Sequence, residues 1–397
     1  MTQEKNPHLK LVKPLDLKEI KQRTRIYHRK KARKYAVNIF LIAMILFGTY
    51  LLITNHSYDS VYRSTAYTKE TSDNNQYAAF RNGIVRYSRD GVTFLNYKNE
   101  ELWIQPGQFK NPVFVTKGQT FAVGDVGGNS IQVFHQNGLK GEIETTLPIE
   151  RLAISEQGIV CAILKNETSP MIVAYDAAGN ILVEMQIAMG TLGYPTALDL
   201  SPDGTVLAVS YVDTASVSLK SNVVFYNFSN AGKEKADHQV GMEEYENSIL
   251  PEIFFMDAST SVVVGDHSFA VYAGKDAPAK KREVEIGQEI RSVFHTEQYI
   301  GFVLLNTEKT GYEVRLYNKA GKQIMNRAIP GEYSNVQMIG DEIFLYEGSQ
   351  CCMITKTGLF RFKGDMKTEV LGMIPLVGVN RYLMISANEL RVIYLTK

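Results

Sequence analysis

From residue 77 to the C-terminus, apolar residues fall in short runs separated by turn residues, and no stretch carries a 3.6-residue apolar period long enough for a convincing helix. The pattern predicts an all-β body. Eight runs are nearly all apolar rather than alternating: IVRYS (84–88), TFAVG (120–124), IVCAIL (159–164), VLAVSY (206–211), SVVVG (261–265), IGFVLL (300–305), IFLY (343–346) and YLMIS (382–386). A strand reads this way when both of its faces are covered.

Each of these runs is followed by a second unit, a strand ending in an aromatic or aliphatic anchor, then Asp, Asn or His, two residues, and usually Gly. It reads VFHQNG (133–138), AYDAAG (174–179), FYNFSNAG (225–232), LYNKAG (316–321) and MITKTG (353–358), with weaker copies at 94–99, 271–276 and 392–397. The anchors Leu95, Phe134, Tyr175, Tyr226, Tyr272, Tyr317, Ile354 and Tyr394 are spaced by 39, 41, 51, 46, 45, 37 and 40 residues. A period of about 43 residues with several strands per unit is the signature of a β-propeller. The Asx residue caps its own backbone and Gly takes positive φ, which closes a hairpin between third and fourth strands. Eight units predict eight blades.

The last unit supplies three strands before the chain ends, so VYRSTAYT (61–68) is the expected donor of its outer strand, closing the ring and covering two edges. A seven-bladed ring, with the final unit forming part of the first, is the alternative.

The N-terminus is different in kind. Residues 36–54 (AVNIFLIAMILFGTYLLIT) contain no charge and would span about 28 Å as a helix, close to the hydrocarbon thickness of a bilayer. Residues 1–34 hold twelve Lys/Arg and three Asp/Glu, and residues 55–397 hold 31 and 39, so the near-neutral whole conceals a basic tail and an acidic body. Arg29, Lys30, Lys31, Arg33 and Lys34 stand directly before the apolar run. Such cations resist translocation, which predicts a cytoplasmic N-terminus and an extracytoplasmic body. The run is too long for a signal peptide and no small-x-small cleavage site follows it. The predicted organisation is a basic tail (1–34), a transmembrane helix (35–54), a stalk with the ring-closing strand (55–76) and the propeller (77–397). Topogenic charge accounts for the basic cluster, so no nucleic-acid partner is expected.

The stretches GIVRYSRDGV (83–92), GEIETTLPIE (141–150), LSPDGTVLAVSY (200–211), NVVFYNF (222–228), RSVFHTEQYIGFVL (291–304) and NRYLMIS (380–386) resemble, in order, a family of membrane-anchored extracytoplasmic β-propeller proteins of Gram-positive anaerobic bacteria, a domain of unknown function. The blades are also similar to quinoprotein-like and WD-repeat-like propellers, without the Gly-His and Trp-Asp signatures of true WD repeats. The resemblance implies fold, anchor and envelope location, and no site residues.

Local chemistry is sparse. The three cysteines, Cys161, Cys351 and Cys352, form no C-x-x-C, and the seven histidines are not paired at ligand spacing. GDVGGN (124–129) lacks the spacing and following helix of a phosphate loop and reads as a turn. Trp103 is expected to dock between blades, and His295 to cap or pack. No catalytic motif, metal set or cofactor loop is present, so no cofactor is expected.

Long loops on a rigid scaffold are where binding sites usually form. The b–c and d–a connections of a propeller share one face at the mouth of the central channel, and Asp125, Asn129, Asn166, Asp213, Asp266 and Glu308 are the candidate binding-face residues there. The longest connections are expected in blade four, at 212–222 and 232–249, which would account for the 51-residue interval. The leading expectation is a non-enzymatic binding or scaffold module for a protein, peptide or glycan of the bacterial envelope. An envelope enzyme (hydrolase, lyase or quinoprotein-like oxidoreductase) with a site assembled from several blades, or a sensor, are the alternatives.

Overall fold

The computed structural model describes residues 17–54, 56–68, 75–213, 218–306 and 311–397. The chain divides into a unit ending at His56 and a unit of residues 57–397. The first holds the helix Leu17–Thr54, whose portion Lys21–Tyr50 is long and apolar enough to cross a membrane. Its apolar side chains, such as Ile39, Phe40 and Leu46, are exposed on every face. Thr49 donates its hydroxyl to the carbonyls of Ile45 and Leu46, so this polar residue is satisfied inside an apolar run.

The second unit is an eight-bladed β-propeller, each blade a four-stranded antiparallel sheet. Strands a to d of blades one to seven occupy 76–106, 112–144, 149–186, 194–246, 252–285, 290–329 and 335–365. Blade eight takes strands a to c from 372–396 and its outer strand from Ser60–Thr68, which pairs with Glu389–Thr396. The a strands lie innermost, side by side around the channel. Antiparallel alternation puts the a–b and c–d turns on one face and the b–c and d–a connections on the other. The chain therefore enters the ring on the a–b face, at Ser60.

The repeating c–d turns share one feature, a bulge at the anchor. All eight anchor residues lie on c strands, and in blades one to seven the c–d register slips at the anchor itself, a β-bulge in each case. Asp176 accepts from the amides of Ala178 and Asn180, and Asn318 from those of Ala320 and Lys322. Gly179, Gly321 and Gly358 follow at φ of 87°, 69° and 85°, a region that costs a side chain about 1–2 kcal/mol. Blade one uses Asn99 there, at φ 64°.

The b strands are buried on both faces, as their composition predicts, and form eight clusters between neighbouring blades. Trp103 stacks on Phe94, Phe121 and Phe134 and donates its indole N–H to Gln136 O at 3.0 Å, joining blades one and two. Cys351 and Cys352 point to opposite sides of blade seven, toward blades eight and six, and all three cysteines are buried free thiols. Burial pushes Cys161 and Cys352 up to about 12, which keeps them protonated.

Blade four departs from expectation. The run beginning at 232 is not a d–a loop: residues 228–238 form the c–d connection, on the opposite face, and Gln239–Glu246 is the d strand. The 51-residue interval arises earlier, from the connection 187–193 and the long strands Val206–Asp213 and Lys220–Asn227. Loop length alone does not say on which side of a strand pair the extra residues fall.

Candidate functional site

Two adjoining cavities open at the b–c mouth of the channel. One, about 470 Å³, lies between blades three and four and is lined by Pro148, Glu150, Arg151, Lys165 and Tyr194 among others. The other, about 440 Å³, continues inward along the a strands of blades two to five, with Val113, Val115, Leu152, Leu198, Glu252 and Ile253 in its wall. Val126, Glu150 and Arg151 line both.

The polar groups come from the first positions of a strands, where an inner strand meets the mouth. Glu150 and Arg151 open Ile149–Ile154, Tyr194 opens Tyr194–Leu200, and Glu252 opens Glu252–Asp257. Tyr194 donates its hydroxyl to Glu150 at 2.6–2.7 Å. Burial and that carboxylate push the Tyr194 phenol up to about 12. Burial raises Glu252 to about 6, since the charged form lacks solvation in the channel wall. Among the described residues, Arg151 and Lys165 enter no salt bridge, and both are exposed. The arrangement offers two uncommitted cations at the rim, an apolar wall inside, and an acid poised near neutrality.

Five of the six loop residues singled out by sequence, Asp125, Asn129, Asn166, Asp213 and Asp266, are on the b–c connections or at their edges, in blades two to five. Asp125 accepts from the amides of Lys110 and Asn111, both at 2.7 Å, and so fixes the d–a loop of the preceding blade. Asn129 donates to Thr145 O at 2.8 Å, and Asp266 accepts from Ser248 at 2.6 Å. Asn166 sits at the edge of the loop 165–170, and Asp213 ends its strand opposite Lys220. Glu308 lies outside the described residues. None of the other five lines either cavity. The amides of GDVGGN are consumed internally: Val126, Gly127 and Gly128 donate to Asn111, Ile149 and Asp125.

At the other end of the channel, Lys117 of blade two reaches Asp199 of blade four at 2.6 Å. The same carboxylate oxygen accepts the Phe255 amide of blade five at 2.6 Å, on the inner edge of that sheet. Nearby, His295 of blade six stacks on Phe254 with centroids 3.8 Å apart. Desolvation pushes His295 down to about 4; Asp199 opposes that shift and Lys117 adds to it.

A family model described as "Family of unknown function (DUF5711)" matches residues 54–395. The chain belongs to this family. No curated protein matches the sequence. Among solved structures, Sqt1 from Chaetomium thermophilum is similar at 12% identity over 85% of this chain and 100% of that one, with a TM-score of 0.52. BamB from Moraxella catarrhalis is similar at 12% identity over 84% of this chain and 100% of that one, with a TM-score of 0.49. The first likeness shows a shared fold.

In this DUF5711 chain, the residues that gather at the two channel ends were not singled out as a site from sequence, except that His295 was expected to cap or pack. A signal was present: PIERLAI (148–154), PTALDL (195–200) and LPEIFF (250–255) each set a charge inside an apolar first strand. In a propeller such charges can only face the channel or its mouth.

Proposed function

We propose that this DUF5711 protein is a single-pass envelope protein, with its N-terminus in the cytoplasm and its propeller outside, whose b–c channel mouth holds an extended segment of a partner protein. The orientation follows from the cations Arg29, Lys30, Lys31, Arg33 and Lys34 before the apolar helix. The observation that carries the binding reading is the continuity of the two cavities through Glu150 and Arg151. A continuous groove suits a chain better than a compact molecule. Arg151 and Lys165 at the rim favour an acidic side chain, and the apolar channel wall favours an apolar neighbour beside it. The candidates Asp125, Asn129, Asn166, Asp213, Asp266 and Glu308 would border this face, and those with visible bonds would keep its loops rigid.

The test compares tagged full-length protein, cross-linked in membranes and purified, with an Arg151→Glu/Lys165→Glu variant and with Lys98→Glu on the opposite face. A partner retained by wild type and Lys98→Glu but lost with the double reversal supports the reading. A partner set unchanged by the double reversal contradicts it.

A further inference from the structure

Whereas the a–b turns of blades one, four and six are built of polar residues and Gly or Pro, such as Ser-Pro-Asp-Gly at 201–204, the a–b turn of blade eight, residues 376–379, reads Leu-Val-Gly-Val. Val377 is 96% exposed and Val379 48% exposed at the tip of this turn, with Gly378 at φ 137° between them. Among the described residues of the ring, none covers Val377, and Val379 is half-covered. Their position is fixed by the ring closure. Tyr58 donates its amide to Arg361 O, and the Arg361 guanidinium donates to Val379 O while pairing with Glu342 at 3.1 Å. Asn380 accepts the Leu395 amide and returns its side-chain N–H to Leu395 O. The turn is therefore held one arginine side chain from the point where the chain joins the ring. Leu359, on the adjoining c–d turn of blade seven, and Tyr62, near the start of the closing strand, are also exposed.

Only residues 55–57 separate the last residue of the apolar helix, Thr54, from Tyr58. Four Cα–Cα steps reach at most about 14 Å. A helix that crosses the bilayer thus keeps Tyr58 and its surroundings within about two headgroup layers of the hydrocarbon. A rigid, uncharged turn with two bare valines, flanked by Tyr and Leu, has the composition of a segment that rests in the interfacial zone.

We infer that the blade-eight turn 376–379 docks into the outer surface of the lipid bilayer and sets the orientation of the ring, with the b–c mouth directed away from the membrane. This rests on the reading that the helix spans the bilayer. It concerns a second, independent contact, made by the propeller itself.

The experiment uses full-length protein in phosphatidylglycerol/phosphatidylethanolamine vesicles, with an environment-sensitive fluorophore at Val377→Cys or, as control, at Asn166→Cys on the other face. Wild type, whose cysteines are buried, serves as the labelling blank. The expected result is a blue shift and quenching by doxyl-labelled lipids at position 377, with protection from aqueous iodide, and the reverse at position 166. Equal iodide quenching at both positions overturns the inference. Alkaline carbonate extraction of the same vesicles separates the two claims: protein that resists extraction with position 377 in water refutes the docking alone, whereas extractable protein refutes the spanning helix and the docking with it.

Discussion

Lys117 and Asp199 meet at 2.6 Å although 82 residues and a whole blade separate them. Both side chains are about 85% buried, and Asp199 also holds the Phe255 amide, so one carboxylate ties together blades two, four and five. Removing one partner of such a pair strands a charge in a poorly solvated place. Asp199→Ala is expected to destabilise the propeller by about 3–5 kcal/mol. Lys117→Met should cost less when combined with Asp199→Asn than the two single changes predict, because the pair is removed together. Urea denaturation of the full chain in detergent, followed by far-UV circular dichroism, reads both.

His295 gives acid sensitivity. Although its ring is exposed at the channel, the crowding of the channel wall pushes its imidazole down to about 4 from an ordinary 6.5, so the unfolded chain is expected to bind this proton first as pH falls. The contribution of His295 to stability is expected to be intact above pH 6.5 and to decline as pH falls from there toward 4. His295→Phe, which keeps the stack on Phe254, is expected to flatten that decline with little change at pH 7.5. An unchanged pH profile would show that another group governs it.

Glu252 has the opposite slope. Its carboxyl is raised from 4.5 to about 6, so between those values the unfolded chain ionises while the folded chain does not, and stability falls as pH rises. Above pH 6 the full cost is present, about 2 kcal/mol from the size of the shift. Glu252→Gln should therefore stabilise at pH 7.5 by up to about 2 kcal/mol and have no effect near pH 4. Equal stabilisation at both pH values would place the effect elsewhere.

The c–d turns yield a local prediction. Gly321→Ala, at φ 69° and with its nearest neighbour the flexible Arg282 side chain at 3.2 Å, is expected to cost about 1 kcal/mol. Asn99→Gly in blade one should gain a few tenths of a kcal/mol instead, since Asn already tolerates this region. Thermal unfolding measured for both variants checks the opposite signs.

What the chain discloses in its sequence is local. The anchors Leu95, Tyr175, Tyr226 and Tyr317 mark third strands because an Asx side chain directly after each caps the following turn, and the c–d bulge falls at the anchor. The doubly covered b strands are legible because burial on both faces removes alternation. Strand Ser60–Thr68 could be placed opposite Glu389–Thr396 because an open edge demands a partner. The channel groups were not legible as a site. Glu150 and Tyr194, or Lys117 and Asp199, converge only through ring curvature, which no local spacing encodes. Asp125 and Asp266 drew notice as loop acids, yet their visible bonds hold neighbouring loops in place.

The most direct test of the account places a photo-activatable amino acid at Lys165, beside the mouth, or at Lys98, on the opposite face, in cells carrying the full-length protein. A discrete covalent adduct is expected from position 165 that disappears when Arg151→Glu is added, and none from position 98. Adducts that form equally from both positions, or that persist in Arg151→Glu, would contradict it.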